Sequence, residues 1–561
     1  MSQRPASGPS DGAMLALVGL ALALVAILWL WGGIAGALFG RGWPPVSATQ
    51  LLDVLIRLPG RLAEPARAWP ARDRTLLPAP GGCYAALALL AGAVATVGAA
   101  AARIGLVSAL RRGSPGAKWA RLGDLRRLSG RSRGGRLVLG RYHGRLLAAE
   151  QRHALVAFGP PQSGKSAGLA VPALLEWDGP AVASSIKTDL LASTLDRRQA
   201  LGRVFVFDPF GLSGAPSQTW SPLAGARTWD GALEMAWRLA AAGELDQRGV
   251  EGGDFWAVAA EQRLAPLLFT AAVTAATMDD VVRWTYGQGS RDLYESVSRL
   301  TGSARDEQEL EGAHAAYDAL RAFESQADRT RTSIEATAQA LLRGYRFARV
   351  LRSASSCEIT PDRLLDERAT LYLIGDAKAT KLLRPIFLAL LSEIVDRAYE
   401  RATLAGGRLE LPLLLCLDEA GNVAPLPNLA EIASTAPSHN IQLVSIFHDL
   451  AQARSRYGGQ AETVVNSHRA RMLLPGVADL DTLRYFAGLV GDQDARETSR
   501  TTGVGGSSQT SGRRRQPLVA PEALRQLDEG HALLLYGRVP PAVVRLRLWF
   551  ADRRLRKLAA A

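Results

Sequence analysis

Residues 159–166 read GPPQSGKS and residues 413–419 read LLLCLDE. The first segment fits G-x-x-x-x-G-K-[ST], a loop whose backbone N–H groups wrap phosphates. In that pattern Lys165 reaches the β/γ-phosphates and Ser166 offers its hydroxyl to Mg²⁺. Nucleotide contacts are expected along Gly159, Pro160, Pro161, Gln162, Ser163, Gly164, Lys165, Ser166 and Ala167. The second segment is an apolar strand ending in two carboxylates. Asp418 suits Mg²⁺, and Glu419 stands where a base could polarise an attacking water. A Gly/Pro-rich surface turn is the bland alternative for residues 159–166. The flanks oppose it, because RHALVAF before the loop is strand-like and SAGLAVPALLEW after it is helix-like. The pair reads as a P-loop NTPase using ATP and Mg²⁺.

The elements that position these groups follow from the rest of the chain. From about residue 137, strands and helices alternate through RLVLGRYHGRLLAA (a hairpin pattern), the phosphate-loop unit, AVASSIK and VFVFDPF. This is the rhythm of a parallel sheet covered by helices. It stops near Trp229, and a mostly helical stretch runs to about Thr360. Strand character then returns at ATLYLIG, LPLLLCLDE, IQLVSIF and ARMLLPG. The simplest organisation is an α/β P-loop NTPase domain of RecA-like parallel-sheet type, in two parts (137–228 and 361–561). An all-helical domain (229–360) is inserted between them. Residues 499–517, SRTTGVGGSSQTSGRRRQP, read as a mobile loop, and HALLLYGRVPPAVVRLRLWF reads as a closing strand pair.

With 561 residues, 21% charged and 48% apolar, the chain is neither disordered nor uniformly membrane-embedded. The net charge of +13, supplied nearly all by arginine, suits a polyanionic partner, either nucleic acid or an anionic membrane face. A genome-level preference for arginine explains the Arg/Lys ratio equally well, but not the net excess. Cys83, Cys357 and Cys416 have no metal or disulfide spacing, which fits a reducing compartment.

Residues 1–110 read as a membrane anchor. Residues 13–31 are an unbroken apolar run, and residues 75–102 form a second uncharged stretch rich in Ala and Gly. Transmembrane helices are expected at about 13–38 and 83–107, with residues 41–80 outside the cell membrane. A cleaved signal peptide is the alternative for the first, and a buried Ala-rich soluble helix for the second. Residues 111–136 carry nine Lys/Arg against one acid, Asp124, and read as a cytoplasmic linker. The six arginines of 41–80 oppose this orientation mildly; a triphosphate site that must face cytoplasmic ATP decides it.

The whole layout resembles the type IV secretion coupling proteins, the TraG-like conjugation ATPases of the FtsK/HerA motor class. Matching segments occur in order: GPPQSGKSAGLAVPALL, SSIKTDLL, VFVFDPF, the Phe255–Trp256 pair, LLLCLDEAGNVAPLPNL, IQLVSIFHDLAQ, VVNSHRARMLLPGV and LLLYGRVPP. The resemblance implies a hexameric ring coupling ATP hydrolysis to passage of single-stranded DNA, or a relaxase–DNA complex (the relaxosome), toward a secretion channel. It also implies that Lys187 and Asp189 belong to a family motif, although capping by Thr188 or Asp189 is an equal reading, and Asp208 can be a strand-end turn residue. Two departures stand out. Relatives commonly place glutamine where this chain has His448, and a neutral imidazole, with one donor and one acceptor, can align water as an amide does. A histidine merely ending a strand near the site is the alternative. Many relatives also carry an arginine in the loop before IQLVSIF, which here reads TAPSHN. Either another arginine serves (Arg454, Arg456, Arg469 and Arg471 are near in sequence) or turnover is slow. Two other functions stay open: a substrate-docking receptor with weak turnover, and an FtsK-like pump for double-stranded DNA. The second lacks room for a winged-helix reader at its end.

Overall fold

The computed structural model describes residues 11–103, 116–130, 135–247, 253–503 and 506–560. The chain falls into two compact units, Met1–Pro115 and Gly116–Ala561.

The first unit is built on two long helices, Asp11–Phe39 and Pro80–Arg103. The second begins at Pro80, ahead of the expected residue 83, because proline fits the first helical turn, where no N–H is needed. Residues 104–107 of the expected span lie outside the described residues. Trp31 joins the helices by donating its Nε1–H to the Cys83 carbonyl at 2.6 Å, and its ring packs edge-on against Trp69. Between them, Ala48–Arg57 forms a helix closed by a Ser47/Gln50 capping box. Among the described residues one helical stretch, Pro80–Val97, is long and apolar enough to cross a membrane; Leu24–Phe39 is a shorter apolar stretch.

Among the described residues the second unit contains thirteen strands. In chain order they are β1 (Val138–Tyr142), β2 (Arg145–Ala148), β3 (Leu155–Phe158), β4 (Ala181–Ser185), β5 (Val204–Phe207), β6 (Thr370–Ile374), β7 (Leu413–Leu417), β8 (Ile441–Phe447), β9 (Ala470–Leu473), β10 (Asp492–Gly503), β11 (Gly506–Pro517), β12 (His531–Tyr536) and β13 (Val539–Arg545). Eleven form one sheet in the order β2-β1-β13-β12-β9-β3-β8-β7-β4-β6-β5. From β9 to β5 every pairing is parallel, and from β12 to β2 every pairing is antiparallel. The parallel strands β4, β6, β7 and β8 are buried at every position, which is why they read as continuous apolar runs. The β1–β2 hairpin turns through His143 and Gly144, both at positive φ, as a two-residue turn matched to strand twist requires.

The helical stretch between β5 and β6 includes Trp229–Gln247, Gly253–Thr274, Glu307–Glu324 and Asp328–Leu342. Its core is continuous with that of the sheet: Leu264, Phe269 and Ala316 belong to the same buried cluster as Phe205 and Leu371. Phe207 of β5 meets Phe387, on the long helix Ala377–Leu404, at 5.9 Å.

Residues 499–503 and 506–517, expected to lie in a mobile loop, are not a loop. They belong to a two-stranded antiparallel ribbon, β10–β11, paired from Asp492↔Pro517 to Gly503↔Gly506. Such a ribbon satisfies its backbone through its own ladder and needs no buried face. A Ser/Thr/Gly composition therefore does not prevent it, and threonine favours the extended backbone.

Candidate nucleotide site

The strand order places the two motifs side by side. β3 ends in the phosphate loop and β7 ends in Asp418–Glu419, with β8 between them ending at His448. Backbone hydrogen bonds extend past the strands and fix this edge. Gly159 N–H donates to Phe447 O (3.0 Å), Ala420 N–H to Ile446 O (2.9 Å) and Asp418 N–H to Ser184 O (3.1 Å). Beneath them Phe158 stacks on Phe447 and meets Phe486 edge-on.

Within the loop, Gln162 (φ 66°) and Gly164 (φ 85°) hold the left-handed backbone that curls the N–H groups inward, and Ser163 N–H donates to Pro160 O. Residues Ser166–Ala170 then form a wide π-type turn before the helix Val171–Glu176. Pro172 has no N–H to give the Ala167 carbonyl in such a turn. That carbonyl instead accepts from Trp549 N–H at 3.0 Å, so the C-terminal segment is tied to the phosphate-loop helix.

The expected side chains converge. Ser166 Oγ donates to Asp418 Oδ2 at 2.6 Å, while Asp418 Oδ1 is buried with no hydrogen-bond partner. Lys165 Nζ lies 3.4 Å from Glu419 Oε1 and 3.0 Å from His448 Nδ1. His448 Nε2 in turn lies 3.3 Å from Glu419 Oε1. The imidazole thus stands between the two groups, with Nδ1 facing the ammonium and Nε2 facing the carboxylate. Lys165, Asp418 and Glu419 are all buried.

The two carboxylates are driven apart. Burial pushes Asp418 up to about 6, against the Ser166 hydrogen bond and the Lys165 charge, with Glu419 and Asp189 adding repulsion. Burial also acts to raise Glu419, but hydrogen bonds from His448 and Asn422 and the charge of Lys165 outweigh it and hold it at about 2. An orphaned buried carboxylate oxygen next to a serine hydroxyl is an all-oxygen donor set that fits Mg²⁺.

Asp189 begins the helix Asp189–Leu201 and its charge reaches Asp418, whereas Lys187 contributes only a backbone N–H bonded to Ser185 Oγ. Asp208 is a turn residue: its Oδ2 accepts from both Ser213 N–H and Ser213 Oγ–H. Phe255–Trp256 lie where no side chain is described. Three features escaped sequence reasoning. Glu419 is a non-glycine residue at φ 64°, a costly conformation of the kind that clusters at functional sites. Asn422 Nδ2 donates to Glu419 Oε2 at 2.9 Å. Gln452 Oε1 accepts from His448 N–H at 2.8 Å and pins the strand end. Asn422 and Gln452 lie inside the family segments, but no spacing rule singles them out.

The family model for "Type IV secretory system Conjugative DNA transfer" matches residues 118–560, most of the chain. The chain belongs to this family. It is 25% identical over 444 residues to the conjugal transfer protein TraG of Escherichia coli, covering 71% of this chain and 67% of that protein. It is 23% identical over 461 residues to VirD4 of Agrobacterium fabrum, covering 79% and 66%. The plasmid coupling protein TrwB, solved in complex with ADP and Mg²⁺, superposes with a TM-score of 0.57 at 16% identity, over 77% of this chain and 94% of that one. This last likeness establishes the fold. Family membership and the phosphate loop together make this conjugative DNA transfer protein a P-loop ATPase.

Proposed function

We propose that the protein is a membrane-anchored, hexameric ATPase that couples ATP hydrolysis to delivery of single-stranded DNA, as a relaxosome, to a type IV secretion channel. The observation that supports this best is the meeting of Lys165, Ser166, Asp418 and Glu419 at adjacent strand ends. In this reading the backbone of residues 159–167 cradles the phosphates, Ser166 and Asp418 hold Mg²⁺, and Lys165 neutralises the β/γ-phosphates. Bound Mg²⁺ supplies charge neutralisation on the phosphate oxygens. Glu419 orients and polarises the attacking water, and His448 aligns that water from the tip of β8.

Phosphates compete with Glu419 and His448 for the Lys165 ammonium. Once Lys165 turns to the nucleotide, Glu419 loses a neighbouring cation and becomes a better base, which ties water activation to occupancy. The net charge of +13 and the conjugal TraG relative favour DNA as the cargo. Two spans, Asp11–Phe39 and Pro80–Arg103, are the proposed anchor, supported by the apolar run at residues 13–31 and by the length of both helices. By the positive-inside rule the basic stretch 111–136 supports a cytoplasmic sheet unit.

Steady-state ATP turnover of the detergent-solubilised full chain, with and without single-stranded DNA, tests the proposal. Turnover stimulated by DNA is expected; nucleotide binding without turnover under either condition would instead identify a docking receptor.

A further inference from the structure

We propose that Arg547 is a positioning residue for ATP hydrolysis, anchoring a C-terminal segment that holds the phosphate-loop helix in the register that brings Ser166 to Asp418. The proposal rests on the reading of the protein as an ATPase. Arg547 is buried, and so is Glu176, the last residue of the helix Val171–Glu176. Their ion pair closes at 2.7 Å from Nη1 to Oε2, while Arg547 Nε donates to Asp552 Oδ2 at 2.9 Å. Arg554 Nε reaches the other Glu176 oxygen at 3.5 Å, and Arg141 reaches Asp552 at 3.5 Å. Burial acts to raise Asp552, but the hydrogen bond and charge of Arg547 outweigh it and hold the carboxyl at about 2. A buried ion pair adds little net stability, because desolvation cancels much of its attraction. Its directed contacts instead fix where the segment from Leu546 to Asp552 lies.

The segment so placed meets the phosphate-loop helix at three points. Leu546 packs 3.1 Å from where a Cβ on Gly168 would stand, and Leu548 packs 3.4 Å from that of Gly164. The two leucines come this close because neither glycine carries a side chain. Trp549 N–H supplies the third contact, donating to Ala167 O at 3.0 Å. Beyond it the chain turns back at once, with Ala551 N–H and Asp552 N–H both donating to Leu548 O. Asp552 then caps the helix Arg553–Ala559, accepting from the N–H groups of Arg554 and Leu555.

The Trp549 bond selects the register. In the wide turn Ser166–Ala170, Val171 N–H donates to Ser166 O. In an ordinary α-turn the same N–H would donate to Ala167 O instead. Pro172 has no N–H, so each register leaves one carbonyl without its helical donor: Ala167 O in the wide turn, Gly168 O in the α-turn. Trp549 N–H satisfies the first of these and so weights the helix toward the wide turn. Without that bond the turn can tighten. Removing one residue from a turn rotates the loop end by about 100° around the helix axis and shifts it by about 1.5 Å. Leu174 and Leu175 are fixed in the core, so the movement falls on Lys165 and Ser166. The 2.6 Å contact between Ser166 and Asp418 does not survive a rotation of that size. Wide turns inside helices are frequent at functional sites for this reason: they hold a residue where a regular helix would not.

Full-length Trp549→Pro, Trp549→Ala and a Glu176→Leu/Arg547→Met double variant supply the test. Proline removes the N–H, whereas alanine keeps it and controls for the lost ring. The double variant swaps the buried pair for apolar groups of similar size, a change that folding tolerates. Amide exchange of residues 164–176 in the nucleotide-free protein should be about 10-fold faster in Trp549→Pro and in the double variant, and near wild type in Trp549→Ala. ATP turnover should fall about 10- to 100-fold in the same two proteins, the effect of a shift of about 1 Å at a reacting group. The Mg²⁺ concentration for half-maximal turnover should rise about 10-fold, because Ser166 has moved. If the proline variant does not fold, the double variant carries every readout. Wild-type exchange and turnover in the double variant would overturn the proposal, as would equal losses in Trp549→Ala and Trp549→Pro. So would slower turnover at an unchanged Mg²⁺ requirement, which assigns the segment a general structural role. A wild-type protein without any turnover would overturn the ATPase reading itself, whereas the exchange measurement, made without nucleotide, tests the register alone.

Discussion

His448 bridges Lys165 and Glu419: its Nδ1 faces the ammonium at 3.0 Å and its Nε2 faces the carboxylate at 3.3 Å. One imidazole thereby touches both groups on which phosphate binding and water activation depend. Its position is set by Gln452, which accepts the His448 backbone N–H.

Replacing His448 by Gln should preserve most ATP turnover, because an amide keeps one donor and one acceptor at the strand tip. His448→Ala should lower turnover by roughly 10- to 100-fold, in the range of a lost water-aligning contact. Steady-state rates of the two variants check this; equal rates for wild type and alanine would make the histidine a bystander.

Lys165→Ala and Glu419→Gln should separate binding from chemistry. The first removes the buried cation and should abolish both tight ATP binding and turnover. The second leaves Ser166 and Asp418 intact, so it should bind ATP and hydrolyse it at least about 100-fold more slowly. Filter binding of labelled ATP beside a hydrolysis assay reads both quantities. Normal turnover by Glu419→Gln would remove Glu419 from the chemistry.

Asn422→Ala should act through Glu419 rather than on the nucleotide. Losing the 2.9 Å hydrogen bond to Oε2 removes one of the contacts that hold this carboxyl at about 2. A group held low stays ionised to low pH, and without this contact its pKa should move up toward the ordinary carboxylate value. The Glu419 carboxyl titration, followed by NMR in the nucleotide-free protein, should therefore shift to higher pH while ATP affinity stays constant. An unshifted titration would place Asn422 outside the site's electrostatics.

His468 gives the fold a pH dependence of its own. Its ring is fully buried, with Nδ1 donating to Val464 O at 2.7 Å and Nε2 accepting from Ser445 Oγ at 3.1 Å, and burial depresses its pKa to about 4. The unfolded chain protonates this group near 6.5, so between roughly pH 6.5 and 4 the unfolded state binds the extra proton. Stability contributed here is present above that window and is lost as pH falls through it, by about 3 kcal/mol at most. Denaturation of wild type and His468→Gln at pH 7.5 and 5 should show a smaller acid loss in the variant. Parallel losses would mean that the ring is not held neutral.

Single-stranded DNA affinity of the full chain should fall steeply with salt, because phosphate contacts release counterions. A titration at several salt concentrations reads the slope; tight binding indifferent to salt would exclude a protein that tracks the backbone.

The phosphate loop and the strand that ends in Asp418–Glu419 were legible in the sequence because each is a short continuous segment. Its chemistry lies in residue types at fixed spacing and its flanks carry strand or helix periodicity. The parallel core was legible for the same reason: strands buried on both faces must be apolar throughout. Sequence proximity could not show which ends meet. The order β3-β8-β7 brings His448 between Lys165 and Glu419, and the order β3-β9-β12-β13 carries Arg547, which follows β13, back to Glu176. Both depend on pairings between segments far apart in the chain. Composition misled at residues 499–517, where low apolar content argued for a loop. A two-stranded ribbon closes its own hydrogen bonds, so only pairing decides it. Local chemistry fixed what the groups are; long-range strand pairing fixed which of them can act on one another.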